Sequence, residues 1–160
     1  MLLRPLLDTD IPSLFALMSD AQAMRHTYTA PSIEQCAARL NTFENTRARL
    51  GFAPWVVLSA HTSHVVGWGG LCLDPDQPDW GLEVIYAFSP VNWGQGYATE
   101  LVRYSIALAF NQLAASEVHS FAAVENKQSI RVLQKCAFKM LRYEPNLLRN
   151  HYHVRAESAA

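Results

Sequence analysis

The chain has 160 residues, half of them hydrophobic and 17% charged, the composition of one compact domain (residues 1–160) able to bury a sizeable core. Its formal net charge of -1 excludes a basic field for non-specific capture of nucleic acid or an anionic membrane, and directs attention to small molecules and peptides. Cys36, Cys72 and Cys136 are odd in number, widely separated and without CxxC spacing. They argue against a disulfide framework or a zinc site and are read as reduced thiols. The opening Met-Leu-Leu-Arg-Pro-Leu-Leu-Asp is unlike a signal peptide, and no apolar stretch approaches about 18 residues, so a cytoplasmic protein with no membrane span is expected.

In chain order, Leu2 to Leu7 reads as a strand. Asp8 to Asp10 then cap a helix with Pro12 in its first turn, running to about Asp20. Ile11, Leu14, Phe15, Leu17 and Met18 recur at helical spacing and give that helix a buried face. After a loop at Tyr28 to Pro31, Ser32 with Glu34 and Gln35 begins a second helix reaching Arg49, with a largely solvated outer face. Phe52 to Ser59 and Val65 to Leu73 are β-branched and aromatic runs around a polar His-Thr-Ser-His segment, the pattern of a hairpin. The loop Asp74 to Asp79 precedes a strand at Leu82 to Phe88, and Ser89 to Asn92 breaks the pattern before a helix over Gly96 to Leu113. In that helix Ala98, Leu101, Val102, Ser105, Ala109 and Leu113 share a face. A strand at Val118 to Val124, a helix at Gln128 to Cys136, and strands at Phe138 to Tyr143 and His151 to Arg155 complete the chain. The order β-α-α-β-β-β-α-β-α-β-β, without repeats or long linkers, is that of one mixed α/β domain.

The informative stretch runs from Val84 to Glu100, where a strand leads through a short loop to Gly94 and Gly96 at the start of a helix. Backbone N–H groups at a helix N-terminus are unpaired and sit at the positive end of the dipole, so they bind phosphate oxygens without a basic side chain. Glycine lets the backbone come close. A Walker A loop fails here, since Gly96 is followed by Tyr97 and Ala98 rather than Lys-Ser/Thr. A dinucleotide-binding GxGxxG would end on Thr99, too far beyond the preceding strand. A plain turn is the remaining alternative.

The frame Trp93-Gly94-Gln95-Gly96-Tyr97-Ala98 resembles the coenzyme A pyrophosphate loop of the GNAT superfamily, Arg or Gln, two residues, Gly, one residue, Gly or Ala, with Trp93 in the first position. Trp-Gly-x-Gly-Tyr-Ala-Thr-Glu looks like the Rim branch, the ribosomal-protein N-acetyltransferases and their relatives. Leu3-Arg4-Pro5-Leu6 with Asp8 and Asp10 is similar to that branch's first strand and turn. The run from Asn126-Lys127-Gln128-Ser129 to Cys136-Ala137-Phe138 looks like its second signature, with Ala137 in place of the usual glycine. The resemblance spans nearly the whole chain. It implies the GNAT fold: a central, mostly antiparallel sheet splayed between two strands, with flanking helices.

It also implies acetyl-CoA as co-substrate, an amine as acceptor, direct transfer in a ternary complex and no metal. Trp93, Gly94, Gln95, Gly96, Tyr97 and Ala98 would then surround the pyrophosphate. The strand from Val84 to Phe88, with Ala87 and Phe88 beside the coenzyme, would offer a backbone N–H to the developing oxyanion. Glu83 falls where many members place a glutamate that accepts the amine proton, often through water; the other reading is a solvent-facing glutamate beside the sheet. The superfamily's thiolate-protonating tyrosine would fall at Leu133, which cannot donate, so Ser129 is the substitute, unless it only caps its helix. Asn126 would hydrogen-bond the pantetheine or pyrophosphate region. Arg131 and Lys135 either reach the ribose phosphate or form a solvated face.

A lysine amine with pKa near 10.4 is neutral in about one molecule in 2,500 at pH 7, an α-amine near 8 in about one in ten. An α-amine therefore needs little help, and the acceptor expected is the α-amine of a protein or peptide. A small amine (polyamine, amino acid or antibiotic) is the rival within the class, and a non-catalytic acyl-CoA-binding module the rival outside it. Trp68 and Trp80 are expected near the acceptor cleft. His151 and His153 alternate toward one face like a two-ligand metal pair, but without a nearby acidic or cysteine partner they are read as strand packing. Monomer and homodimer both remain open.

Overall fold

A computed structural model describes residues 1–156; the last four positions of the expected domain lie outside the described residues. One sheet of seven strands carries the fold: β1 (Leu2–Arg4), β2 (Trp55–Leu58), β3 (Val65–Leu73), β4 (Leu82–Phe88), β5 (Glu117–Ala123), β6 (Lys139–Glu144) and β7 (Arg149–Arg155), in the order β1-β2-β3-β4-β5-β7-β6. Four helices pack against it: α1 (Ile11–Met18), α2 (Ile33–Leu50), α3 (Tyr97–Asn111) and α4 (Lys127–Lys135). The mixed α/β reading and the element order hold. Among the described residues no helix is long and apolar enough to cross a membrane.

The boundaries differ from the sequence reading where proline or side-chain chemistry intervenes. β1 stops at Arg4 because Pro5 has no N–H for the ladder. Arg4 instead grips Asp10 at 2.5 and 2.7 Å, and this contact holds the buried carboxyl below its usual range. β2 starts only at Trp55, after Pro54. The capping acids Asp8–Asp10, the stretch Pro78–Trp80 at the end of the expected loop, and Pro90–Asn92 within the expected break each form a short 3-10 turn. α2 is capped by Ser32, whose side chain accepts from the Gln35 amide, and ends on Gly51 in the left-handed region.

The alternation of β3 divides the core. Trp68 and Cys72 join Leu14, Met18, Cys36, Leu40 and Phe43 under α1 and α2, whereas Leu71 joins Val84, Val102, Ala109 and Leu133 under α3 and α4. Of the face expected on α3, Leu101, Val102, Ser105 and Ala109 are buried.

Every neighbouring pair in the sheet is antiparallel except β4 and β5, which run parallel and meet only at Glu83 opposite His119. Ser120 Oγ donates to the Val84 carbonyl at 3.0 Å just beyond that point. Past it the strands part. The gap opens at the C-terminal ends of the two strands, the side on which open α/β sheets bind ligands.

Candidate active site

A cleft of about 390 Å³ lies between the end of β4, the start of α3 and the start of α4. Ala87 and Phe88 border it from β4, and Trp93, Gly94, Gly96, Tyr97 and Ala98 from the loop and first turn of α3. Asn126, Ser129, Arg131 and Lys135 close it from α4. Gly94 and Gly96 have φ of 76° and 88°, backbone that favours glycine, and a Cβ on either would point into open space. The first-turn amides of α3 have no carbonyl partner within the helix. They stand at this opening as a ready anion site with room in front of it. Trp93 Nε1 donates to the Phe88 carbonyl at 2.8 Å, which ties the loop back to the strand it left.

Gln95 does not join this lining. Its amide turns back to donate to the Val91 carbonyl at 3.2 Å, so its contribution is to brace the loop. Asn126 uses its side-chain oxygen to cap α4, accepting from the Ser129 amide at 3.1 Å. The cap of α4 is thus Asn126. Ser129 Oγ is free for another partner, and it meets the Tyr86 hydroxyl at 2.8 Å.

A second, smaller cavity of about 180 Å³ lies on the α1–α2 side of the sheet. Glu83 stands in its lining and is only 7% exposed, so it is not the solvent-facing residue that the sequence allowed. Burial, reinforced by Asp74 and partly offset by Arg149, lifts its carboxyl from 4.5 to about 8. The Cys72 thiol, opposite Glu83 on β3, is pushed well up by burial. Trp68 lines this cavity, held edge-on against Phe43 at 5.2 Å. Trp80 does not. The 3-10 turn that ends at Gly81 swings it onto Phe121 of β5, 4.7 Å between ring centres, away from the expected acceptor cleft.

Tyr86 and Ala87 line both cavities. Tyr86 was not among the residues expected from sequence, where it reads as one more strand aromatic. Its place depends on Gly69, directly opposite on β3: a Cβ there would come within 2.8 Å of the Tyr86 Cβ and 2.4 Å of the Ile85 carbonyl. Burial lifts its hydroxyl to about 12, with the Ser129 hydrogen bond pulling the other way. Leu133 is wholly buried in the core. A hydroxyl pair, Tyr86 and Ser129, therefore stands where the two cavities meet.

His151 and His153 do share a face of β7. There His151 pairs with His119 at 3.0 Å and stacks on Phe121, and His153 lies 3.5 Å from Glu117. Among the described residues no group of three or more His, Cys, Asp or Glu is placed to hold a metal.

The family model for the acetyltransferase (GNAT) domain matches residues 1–139. The Bacillus subtilis (strain 168) protein described as uncharacterized N-acetyltransferase YoaA is 25% identical over 144 residues, 87% of this chain and 79% of that one. Among solved structures, an acetyltransferase from Agrobacterium tumefaciens str. C58 superposes with a TM-score of 0.82 at 19% identity, covering 96% of this chain and 90% of that one. A spermidine N-acetyltransferase from Vibrio cholerae, in complex with CoA and spermine, gives 0.73 at 18% identity, covering 96% and 94%.

Proposed function

The chain belongs to the GNAT acetyltransferase family, and from that premise we propose that it transfers the acetyl group of acetyl-CoA directly to the α-amine of an acceptor held beside Glu83. The observation that carries this reading is the pair of cavities on either side of Tyr86 and Ala87. One ends at a helix N-terminus suited to phosphate, the other at a buried carboxyl suited to an amine.

The chemistry follows from the groups at hand. Glu83 near 8 is matched to an α-amine near 8, so proton transfer between them is close to thermoneutral; a lysine amine near 10.4 would be the poorer partner. The amine nitrogen, relieved of its proton by Glu83 directly or through water, attacks the thioester carbonyl carbon. The oxygen that gains charge meets a backbone N–H of the β4 edge where β5 has moved away. The C–S bond then breaks as the nitrogen gives up its second proton to solvent, leaving a neutral amide. A tyrosine hydroxyl near 12 does not surrender its proton to a thiolate whose acid lies near 8.5. One hydroxyl of the Tyr86–Ser129 pair thus donates to the other, which in turn donates to the leaving sulfur, and the sulfur takes its proton from solvent. Asn126, its oxygen occupied in the cap, keeps its amide nitrogen for the coenzyme, and Arg131 and Lys135 supply positive charge to its phosphates.

This donor pair weakens the alternative of a non-catalytic acyl-CoA-binding module, which drew on the apolar Leu133. The Trp93-Gly94-Gln95-Gly96-Tyr97 loop supports a place near the Rim branch, and a protein N-terminus and a free small molecule both present an α-amine. Thiol release from acetyl-CoA, followed across a panel of amines, tests the reading. Amine-dependent release is expected. A protein that binds coenzyme A but whose thiol release no amine accelerates would refute it.

A further inference from the structure

The smaller cavity gathers four acidic and basic side chains. Glu83, Asp74, Arg39 and Arg149 all line it, two acids and two cations, yet none of the four is in an ion pair among the described residues. The arginines are steered by other means. Arg149 donates to the His26 carbonyl at 3.2 Å, and the Arg39 guanidinium lies 5.5 Å from the centre of the Tyr28 ring. Neither contact neutralises a cation. Between these charges the walls are apolar, built from Met18, Leu40, Phe43 and Trp68.

We propose that the acceptor is a free α-amino acid with an apolar side chain, its carboxylate bound by Arg39 and Arg149 and its amine presented to Glu83 and Asp74. This rests on the N-acetyltransferase reading and narrows it. A planar guanidinium fork matches a carboxylate in geometry as well as charge. In an α-amino acid the amine and carboxylate sit on one carbon, so a site for it must converge cations and acids on a single small space, as here. Arg149 and Glu83 border the same cavity. At about 180 Å³ the cavity is below the range of about 300–1,000 Å³ usual for drug-sized ligands. A polyamine would set its distal charges against the arginines. A peptide would replace the carboxylate with a neutral amide and leave both guanidinium groups unanswered.

The test is steady-state thiol release from acetyl-CoA with the intact chain. The acceptors are leucine, methionine and phenylalanine, their C-terminal amides, the corresponding decarboxylated amines, spermidine, and short peptides beginning with the same residues. The free acids should exceed their amides, amines and peptides in kcat/KM by about tenfold or more, the loss expected when a charge-assisted contact is removed. Arg39→Gln and Arg149→Gln should raise KM for the free acid by about tenfold and erase most of that preference. Arg39→Lys and Arg149→Lys should retain part of it. Coenzyme affinity, measured by calorimetry, reports that each variant is folded, since neither arginine borders the larger cleft. Transfer to peptides, amides or polyamines as fast as to free acids, or a preference that survives both glutamine variants, overturns the amino-acid assignment and leaves the acetyltransferase standing. Transfer to no amine at all overturns both.

Discussion

Replacing Glu83 by glutamine changes two observables in opposite directions, which separates a proton acceptor from a merely buried side chain. With its carboxyl raised from 4.5 to about 8, Glu83 is ionised in about one molecule in eleven at pH 7. The folded chain holds this proton more tightly than the unfolded one. The stability it contributes is therefore complete below pH 4.5 and is lost as pH rises toward 8. At about 1.4 kcal/mol per pH unit, the span amounts to about 5 kcal/mol at alkaline pH and about 3 at neutrality, less whatever water entering the cavity relieves. Glutamine does not titrate. Glu83→Gln should match the parent's stability at acid pH and exceed it by several kcal/mol near pH 9, read as a rise of roughly 5–10 °C in Tm. Turnover should move the other way, falling about 10²-fold at pH 7 and recovering in part at high pH, where the amine is already neutral. The assay is thiol release at saturating acetyl-CoA from pH 6 to 10, beside thermal melts at the same pH values. Unchanged turnover throughout would remove Glu83 from the proton path. A Tm difference that does not grow with pH would show that the carboxyl is not held neutral.

Gly96→Val places a β-branched residue at φ 88°, a strained conformation, and projects a side chain into the phosphate cleft; a folded variant with coenzyme A affinity at least about tenfold weaker by calorimetry is expected, and undiminished affinity would move the phosphates elsewhere. Tyr86→Phe and Ser129→Ala should each lower kcat by about tenfold with little change in KM for acetyl-CoA, and the double variant should fall no further, since one hydrogen-bonded unit is lost either way. Additive losses would show that the two hydroxyls act independently. Ala137 holds φ 63° at the end of α4, which costs an alanine about 1–2 kcal/mol. Ala137→Gly should therefore raise stability by about 0.5–1 kcal/mol after glycine's greater unfolded entropy is deducted, and chemical denaturation would detect it.

What could be read in advance follows the range of the interactions. The loop proposed to hold the phosphates is legible because its requirements are local: two glycines, a helix start and a preceding strand fall within about a dozen consecutive residues. Ala137 belongs with it, since the turn that glycine would normally make is formed all the same, its amide donating to the Gln134 carbonyl. Glu83 was legible in position but not in environment, because burial there comes from α1, α2 and β3 together. Tyr86 was illegible, as its value depends on a glycine across the strand pair and a serine 43 residues later. Trp80 went the other way: it was expected near the acceptor cleft, and the reversal at Gly81 delivered it to β5. The charged rim needed Arg39 and Arg149, 110 positions apart, which no local pattern joins.

The parting of β4 and β5 leaves two strand borders inside the molecule. A bare border at the rim of a sheet is a template on which a foreign strand can add, the route to aggregation. Here Ser120 answers only the Val84 carbonyl, and the backbone beyond it keeps its capacity to pair. With α3 packed on both β4 and β5, and α4 on β5, those groups are approached through a slot rather than across an open flank. A folded protein's strand is already bound to its own neighbours, whereas a single thin chain brings free backbone groups to such a slot. The same backbone is thus sticky toward one kind of visitor and inert toward another, with no charged residue in the parted stretches 84–88 and 120–123 to make the distinction.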